Sequence, residues 1–213
     1  MSFQQMKQEV LHYAVLSYQE QLFAATSGNL SVYDPKTGCM AITPSALPYE
    51  TMQEADIVIL RLDGEVVGGQ YAPSSEWRLH AAIYAAMPEV RAVVHTHSPF
   101  ATAFAVDHAP IPAILAEMIP FLGGGVPVAP FQIPGTPEVG SSVVAALKNR
   151  TSCLMANHGV VAVGEDLKKA HIRAVYTEDA AKAYVYAQIL GTPQVLSRDD
   201  QNTIRKRKNM PLE

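Results

Sequence analysis

The feature that most constrains the fold is a set of short apolar runs, each of strand length, joined by turns too tight for a crossover. Leu30 to Tyr33 and Cys39 to Thr43 flank Asp34-Pro35-Lys36-Thr37-Gly38, a hairpin signature. Ser152 to Ala156 and Val160 to Val163 flank Asn157-His158-Gly159 in the same way. A tight turn makes its strands antiparallel, whereas a parallel pair needs a crossover of about a dozen residues or more. These turns therefore predict a mixed or largely antiparallel sheet. Further strands are expected at Ile57 to Leu62 and Arg91 to Thr96. Helical spacing and stop signals place helices over Phe3 to Glu20, Ser74 to about Ala86, Pro99 to Val106, a short stretch near Ala113 to Leu122, Pro137 to Lys148 and Asp166 to Leu190. Thr136 is an N-cap candidate, with Pro137 at the first helical position. The expected fold class is α/β: a single three-layer domain over residues 1–213, with a central, mainly antiparallel sheet and helices on both faces. A short basic C-terminal tail is expected over residues 198–213, its Arg205-Lys206-Arg207-Lys208 cluster read as solvated.

Composition excludes several function classes. With 48% hydrophobic residues in 213, the chain can bury a sizeable core and is not globally disordered. A net charge of −4 argues against a nucleic-acid partner. The cysteines, Cys39 and Cys153, are too few for a disulfide framework and suit a reducing compartment. The first residues lack the basic-then-apolar order of a signal peptide, and no run reaches the roughly 20 apolar residues of a membrane span. A cytoplasmic protein with no membrane partner is expected.

The chemistry-bearing residues begin with His95-Thr96-His97, directly after the apolar run Ala92-Val93-Val94. On a strand, residues i and i+2 share a face, so both imidazoles project together and can reach one metal ion. On spacing alone, two half-buried histidines bonded to backbone carbonyls explain the pair equally well. His158, at the turn between two expected strands, is the candidate third ligand that a catalytic zinc site needs. His12, His108 and His171 have ordinary helical or turn settings. His80, four residues after Glu76, shares its helix face and is a packing or supporting group.

Pro73-Ser74-Ser75-Glu76 opens a helix, where backbone N–H groups and hydroxyls suit a phosphate. Glu76 there is either a dipole-stabilised surface acid or a general base near a bound substrate. Thr26-Ser27-Gly28-Asn29 and Thr43-Pro44-Ser45-Ala46 are further small polar loops able to donate to a phosphate, and each taken singly is also an ordinary turn.

In order along the chain, Ser27-Gly28-Asn29, Thr43-Pro44-Ser45, Pro73-Ser74-Ser75-Glu76-Trp77, His95-Thr96-His97 and Asn157-His158-Gly159 resemble the motifs of the class II, zinc-dependent sugar-phosphate aldolases. This is the L-fuculose-1-phosphate aldolase-like branch of the aldolase, epimerase and adducin-head superfamily. The resemblance implies one Zn²⁺ per subunit, or another divalent transition metal, held by His95, His97 and His158, with Glu76 at the metal and acting as base. It implies substrate phosphate held by Gly28, Asn29, Ser45, Ala46, Ser74 and Ser75. It also implies a homotetramer with active sites at subunit interfaces. The implied reaction cleaves a ketose or deoxyketose 1-phosphate to dihydroxyacetone phosphate and an aldehyde through an enediolate, whose charge a zinc ion stabilises.

Two features depart from the pattern: no tyrosine follows Tyr186, so the C-terminal tail tyrosine of some relatives is missing, and one loop position differs. Fuculose-phosphate enzymes carry a tyrosine in the loop that here reads Leu115-Ala116-Glu117-Met118-Ile119, and Glu117 stands in its place as the candidate acid/base. A 5-deoxypentulose 1-phosphate is therefore as compatible a substrate as fuculose 1-phosphate. The alternatives within the superfamily are a sugar-phosphate 4-epimerase, a methylthioribulose-phosphate dehydratase-like enzyme and a sugar-acid phosphate decarboxylase. A non-catalytic adducin-head-like protein would have lost its metal histidines.

Overall fold

The structure is a computed structural model and describes residues 1–213. Its elements are α1 (Phe3–Gln19), β1 (Asn29–Asp34), β2 (Cys39–Ile42), β3 (Val58–Arg61), β4 (Val66–Gly68), α2 (Trp77–Ala86), β5 (Ala92–Thr96), α3 (Pro99–Val106), α4 (Met118–Leu122), β6 (Val128–Ala129), α5 (Pro137–Ala146), β7 (Ser152–Met155), β8 (Gly159–Gly164), α6 (Leu167–Leu190) and α7 (Arg198–Arg207). The strands form one eight-stranded sheet in the order β4-β3-β2-β1-β5-β8-β7-β6. Every neighbouring pair is antiparallel except β6 with β7. The hairpins expected at residues 34–38 and 157–159 are the β1–β2 and β7–β8 connections, the second lying one residue earlier, between Met155 and Gly159.

Strand alternation divides the core into two faces. Leu30, Ala41, Ile59, Val94 and Ala162 point to one side, where they pack with Met6, Val10 and Ala14 of α1 and Ala170 and Ala174 of α6. Leu154 and Val160 face the same way, under α3, α4 and α6. Met40, Val58, Val93, Cys153 and Val161 point to the other side, against α2 and α5. Helices thus cover both faces, as expected. Cys39 and Cys153 are buried free thiols. No helix is long and apolar enough to cross a membrane.

Sequence and structure differ in four places. β4 and β6 are absent from the sequence-based expectation: at three and two residues they are too short for periodicity to register. The helix expected from Ser74 begins at Trp77, with Glu76 at its N-cap position. Thr136 is the N-cap residue of α5, yet its side chain makes no capping hydrogen bond. The basic segment expected as a solvated tail is helical over residues 198–207, and of its cluster of four cations Lys206, Arg207 and Lys208 are exposed while Arg205 is not. Ser197 and Asp200 form a capping box there, and Asp199 and Asp200 offset the cations at the other end. Arg205 is buried, bonded to the carbonyls of Gly123 and Pro211 and paired with Glu213 at 3.0 Å. A charge count sees a basic run; it does not see that one arginine turns inward.

Candidate metal centre and active site

Sheet register brings the candidate residues together. On β5, Val93 and His95 point to the α2 face, and β1 places Asn29 directly opposite His95. β8 returns beside β5, so the Asn157-His158 turn arrives at the end of the same strand. Asn157 takes the left-handed conformation (φ 54°) that closes this turn, and its carboxamide oxygen accepts from His108. Gly159 lets β8 approach: a Cβ there would lie 2.3 Å from the Thr96 carbonyl and 3.3 Å from both the His95 and His97 rings.

The ligand atoms of Glu76, His95, His97 and His158 lie within 4.8 Å of one another. His95 Nδ1 is 2.8 Å from the Val160 carbonyl oxygen, so it carries the proton and leaves Nε2 facing the cluster. His97 Nε2 is 2.9 Å from His95 Nε2. Glu76 Oε2 lies 3.1 Å from His95 Nε2 and accepts from the Asn29 amide at 2.8 Å. Its other oxygen, Oε1, is 3.3 Å from His158 Nε2, is buried and makes no hydrogen bond.

Charge follows from this packing. Burial opposes ionisation of Glu76, but His95, His158 and the Asn29 amide outweigh it and hold the carboxyl well below its usual range. Burial likewise opposes a charge on His95, and the Glu76 carboxylate overcomes it, raising its pKa. His97 and His158 are pushed down to about 4, by burial first and then by His95. They are neutral near pH 7 and offer lone pairs. Three imidazoles, one carboxylate and an unpartnered buried oxygen are a donor set that fits a divalent transition metal.

The predicted phosphate loops meet beside this cluster. Ser74 N–H donates to the Thr43 carbonyl and Ser45 N–H to the Ala72 carbonyl, each at 3.0 Å, which stitches the two loops together. Thr43 in turn exchanges bonds with Leu30, next to Gly28 and Asn29. Gly28 is at φ 77°, and a Cβ there would fall 2.4 Å from the Phe23 ring. The backbone N–H groups of Gly28, Ala46 and Ser75 and the hydroxyls of Ser45 and Ser75 have no partner in the chain.

The class II aldolase and adducin N-terminal domain family model matches residues 8–185. The chain belongs to this family. It is 33% identical over 207 residues to a 5-deoxy-D-ribulose 1-phosphate aldolase of Bacillus thuringiensis serovar kurstaki, covering 97% of each chain. It is 39% identical over 181 residues to a 5-methylthioribulose-1-phosphate/5-deoxyribulose-1-phosphate aldolase of Rhodospirillum rubrum, covering 84% of this chain and 80% of the relative. A solved L-fuculose 1-phosphate aldolase superposes with a TM-score of 0.91 at 34% identity, covering 97% of each chain.

Within this class II aldolase-family site, two sequence-predicted residues have unexpected settings. The Asn29 side chain is committed at both ends: its amide donates to Glu76, and its oxygen lies 2.6 Å from His80 Nε2. Glu117 precedes α4, is exposed and makes no hydrogen bond or ion pair to the four-residue cluster of its own chain. Sequence reasoning also left Ser31 and Tyr84 out. Ser31 Oγ is 2.7 Å from His80 Nδ1 and 2.6 Å from the Tyr84 hydroxyl, all of them buried. The spacing Glu76, His80, Tyr84 and the alternation Asn29, Ser31 were visible signals, but only the fold lays one against the other.

Proposed function

We propose that this protein is a metal-dependent aldolase that cleaves a ketose or deoxyketose 1-phosphate to dihydroxyacetone phosphate and an aldehyde. The observation that carries the reading is the convergence of His95, His97, His158 and Glu76, with Glu76 Oε1 unpartnered, beside loops whose free N–H groups suit a phosphate. Relatives matched over 75% to 97% of the chain bear aldolase names, and three of them name 5-deoxyribulose 1-phosphate. A 5-deoxypentulose 1-phosphate is therefore the first substrate to try, with fuculose 1-phosphate second.

His95, His97, His158 and Glu76 would hold the ion, and Zn²⁺ is the choice that best suits three imidazoles and a carboxylate. Bound there, the ion supplies Lewis acidity that stabilises negative charge developing at the substrate carbonyl. Gly28, Ala46 and Ser75 N–H groups and the Ser45 and Ser75 hydroxyls bind and orient the phosphate, while Ser74 braces the loop by accepting from Glu76 N–H. Asn29 contributes through its side-chain amide's grip on Glu76 rather than by holding the phosphate. Glu76, ionised and buried, moves the proton at the carbon next to the carbonyl. Glu117 handles the proton on the aldehyde oxygen. Its exposure and its separation from its own cluster support delivery to a neighbouring subunit's site in a cytoplasmic homotetramer.

The test is a panel of ketose 1-phosphates, with dihydroxyacetone phosphate release as the readout and products identified by NMR. Glu76→Gln should lower kcat by roughly 10²- to 10⁴-fold, the usual worth of a positioned acid/base. Full activity in that variant, or no dihydroxyacetone phosphate from any substrate, defeats the aldolase reading. An epimerised or dehydrated product would point to the other superfamily chemistries.

A further inference from the structure

A line of buried hydrogen bonds runs from Glu76 into the core and ends at Tyr84, which meets Ser31 of β1, 53 residues away in sequence. His80 and Tyr84 are spaced by four along one face of α2, a step of about 6 Å in a helix, and Glu76 at the N-cap stands four residues before His80. Asn29 and Ser31 are spaced by two on β1, a step of about 6.6 Å in a strand. The matched pitches let the two rows interlock: Tyr84 to Ser31, Ser31 to His80, His80 to Asn29, Asn29 to Glu76.

The donor direction of every link follows from one end. A carboxylate only accepts, so Asn29 presents its NH₂ to Glu76 Oε2 and its carbonyl oxygen to His80. His80 Nε2 must then carry the proton. The ring is fully buried, and burial pushes its pKa down to about 3, so it is neutral and Nδ1 is an acceptor. Ser31 Oγ–H donates to that nitrogen and accepts in turn from Tyr84, whose hydroxyl hydrogen is shared with the Ser31 carbonyl at 3.0 Å. At its inner end the line meets only backbone, the Ser31 carbonyl and the Val93 main chain beside the Tyr84 hydroxyl, and at its outer end it meets the carboxylate of the candidate metal centre.

We propose that His80 is a positioning residue of the active site: through Asn29 it fixes the rotation of the Glu76 carboxylate, holding Oε2 and leaving Oε1 turned toward the imidazoles. This rests on the reading of Glu76 as a residue of the metal-dependent aldolase site. A carboxylate held in one rotation is ready to bind a metal and move a proton, whereas a free one must be ordered first.

The test compares His80→Gln with His80→Asn. The glutamine amide overlays Nε2 and reaches Asn29, while the asparagine amide overlays Nδ1 and reaches only Ser31. Zn²⁺ alone is the probe, its affinity read by chelator competition on metal-free protein; kcat and KM follow on the loaded enzyme. His80→Asn should lose roughly 10- to 100-fold in Zn²⁺ affinity and a similar factor in kcat, with KM little changed, and His80→Gln should recover most of both. Equal losses in the two variants, or none, would overturn the proposal. Ring ¹⁵N shifts on the unsubstituted protein decide it even if both variants unfold: a proton on Nε2 of His80 supports the line, and one on Nδ1 breaks it. An inactive parent protein would count against the aldolase reading alone, since Zn²⁺ affinity and tautomer need no substrate.

Discussion

Gly159→Ala tests the geometry of the site most directly. Gly159 opens β8, and its absent Cβ is what allows the strand to lie against Thr96 of β5. A methyl group there would sit 2.3 Å from the Thr96 carbonyl oxygen, about 0.7 Å inside the 3.0 Å below which real Cβ contacts essentially never occur. That oxygen belongs to a paired strand and cannot swing aside, so β5 and β8 must separate. Forcing a methyl into a packed interior costs about 1–3 kcal/mol. For a chain of this length that is a fall in Tm of roughly 2–12 °C. The same displacement moves His95 and His97, whose rings stand 3.3 Å from the new methyl, and misplacing such groups by ~1 Å costs about 10²-fold in rate. Thermal denaturation of the metal-free protein reads the first effect; chelator competition and kcat read the second. Gly191→Ala is the control, because nothing lies within 4 Å of a Cβ there and its φ of 162° is extended backbone. A Gly159→Ala protein with unchanged Tm and metal affinity would refute the close approach of β8 and the site built on it.

Other measurements probe the remaining parts. Stripping the metal with a chelator should abolish activity and lower Tm; at an ion concentration 1,000 times its Kd the linked stability is about 4 kcal/mol, or roughly 8–16 °C, and a protein whose Tm ignores added metal has no such site. Acid should destabilise the fold through His80: its folded pKa of about 3 lies below the unfolded value, so stability is complete above pH 6.5 and falls by about 1.4 kcal/mol per pH unit below it. His80→Gln should remove one proton's worth of that slope in denaturant titrations between pH 6.5 and 5, and an unaltered slope would show that His80 titrates normally. Arg205→Ala should cost about 1–3 kcal/mol, since it strips partners from Gly123 and Pro211 carbonyls and leaves the Glu213 side-chain carboxylate with Arg150 alone; a Tm equal to that of the parent would show that Arg205 does not anchor residues 198–207.

Much of this was legible in local sequence because it depends on local physics. Two tight turns dictate antiparallel neighbours whatever surrounds them, and alternation along a strand puts His95 and His97 on one face without any tertiary information. What stayed hidden involves residues far apart in sequence whose relation depends on packing. Asn29 reads as a loop residue near a phosphate, yet its register opposite His95 commits its side chain to Glu76 and His80. Arg205 sits in a run of four cations, and only the docking of α7 beside α4 separates the buried one from its exposed neighbours.

The sequence by itself determined the sheet's antiparallel character, six of the seven helices in outline and the shared face of His95 and His97, since turn chemistry and periodicity are properties of the chain; the four-residue candidate set came from the resemblance of its motifs. Tertiary structure alone decided that the four ligand atoms meet within 4.8 Å, that one Glu76 oxygen is left unpartnered, and that His80 stands behind Asn29. The reason is physical: spacing sets which face a side chain takes, but distance between faces is set by how a helix and a strand of matched pitch pack together.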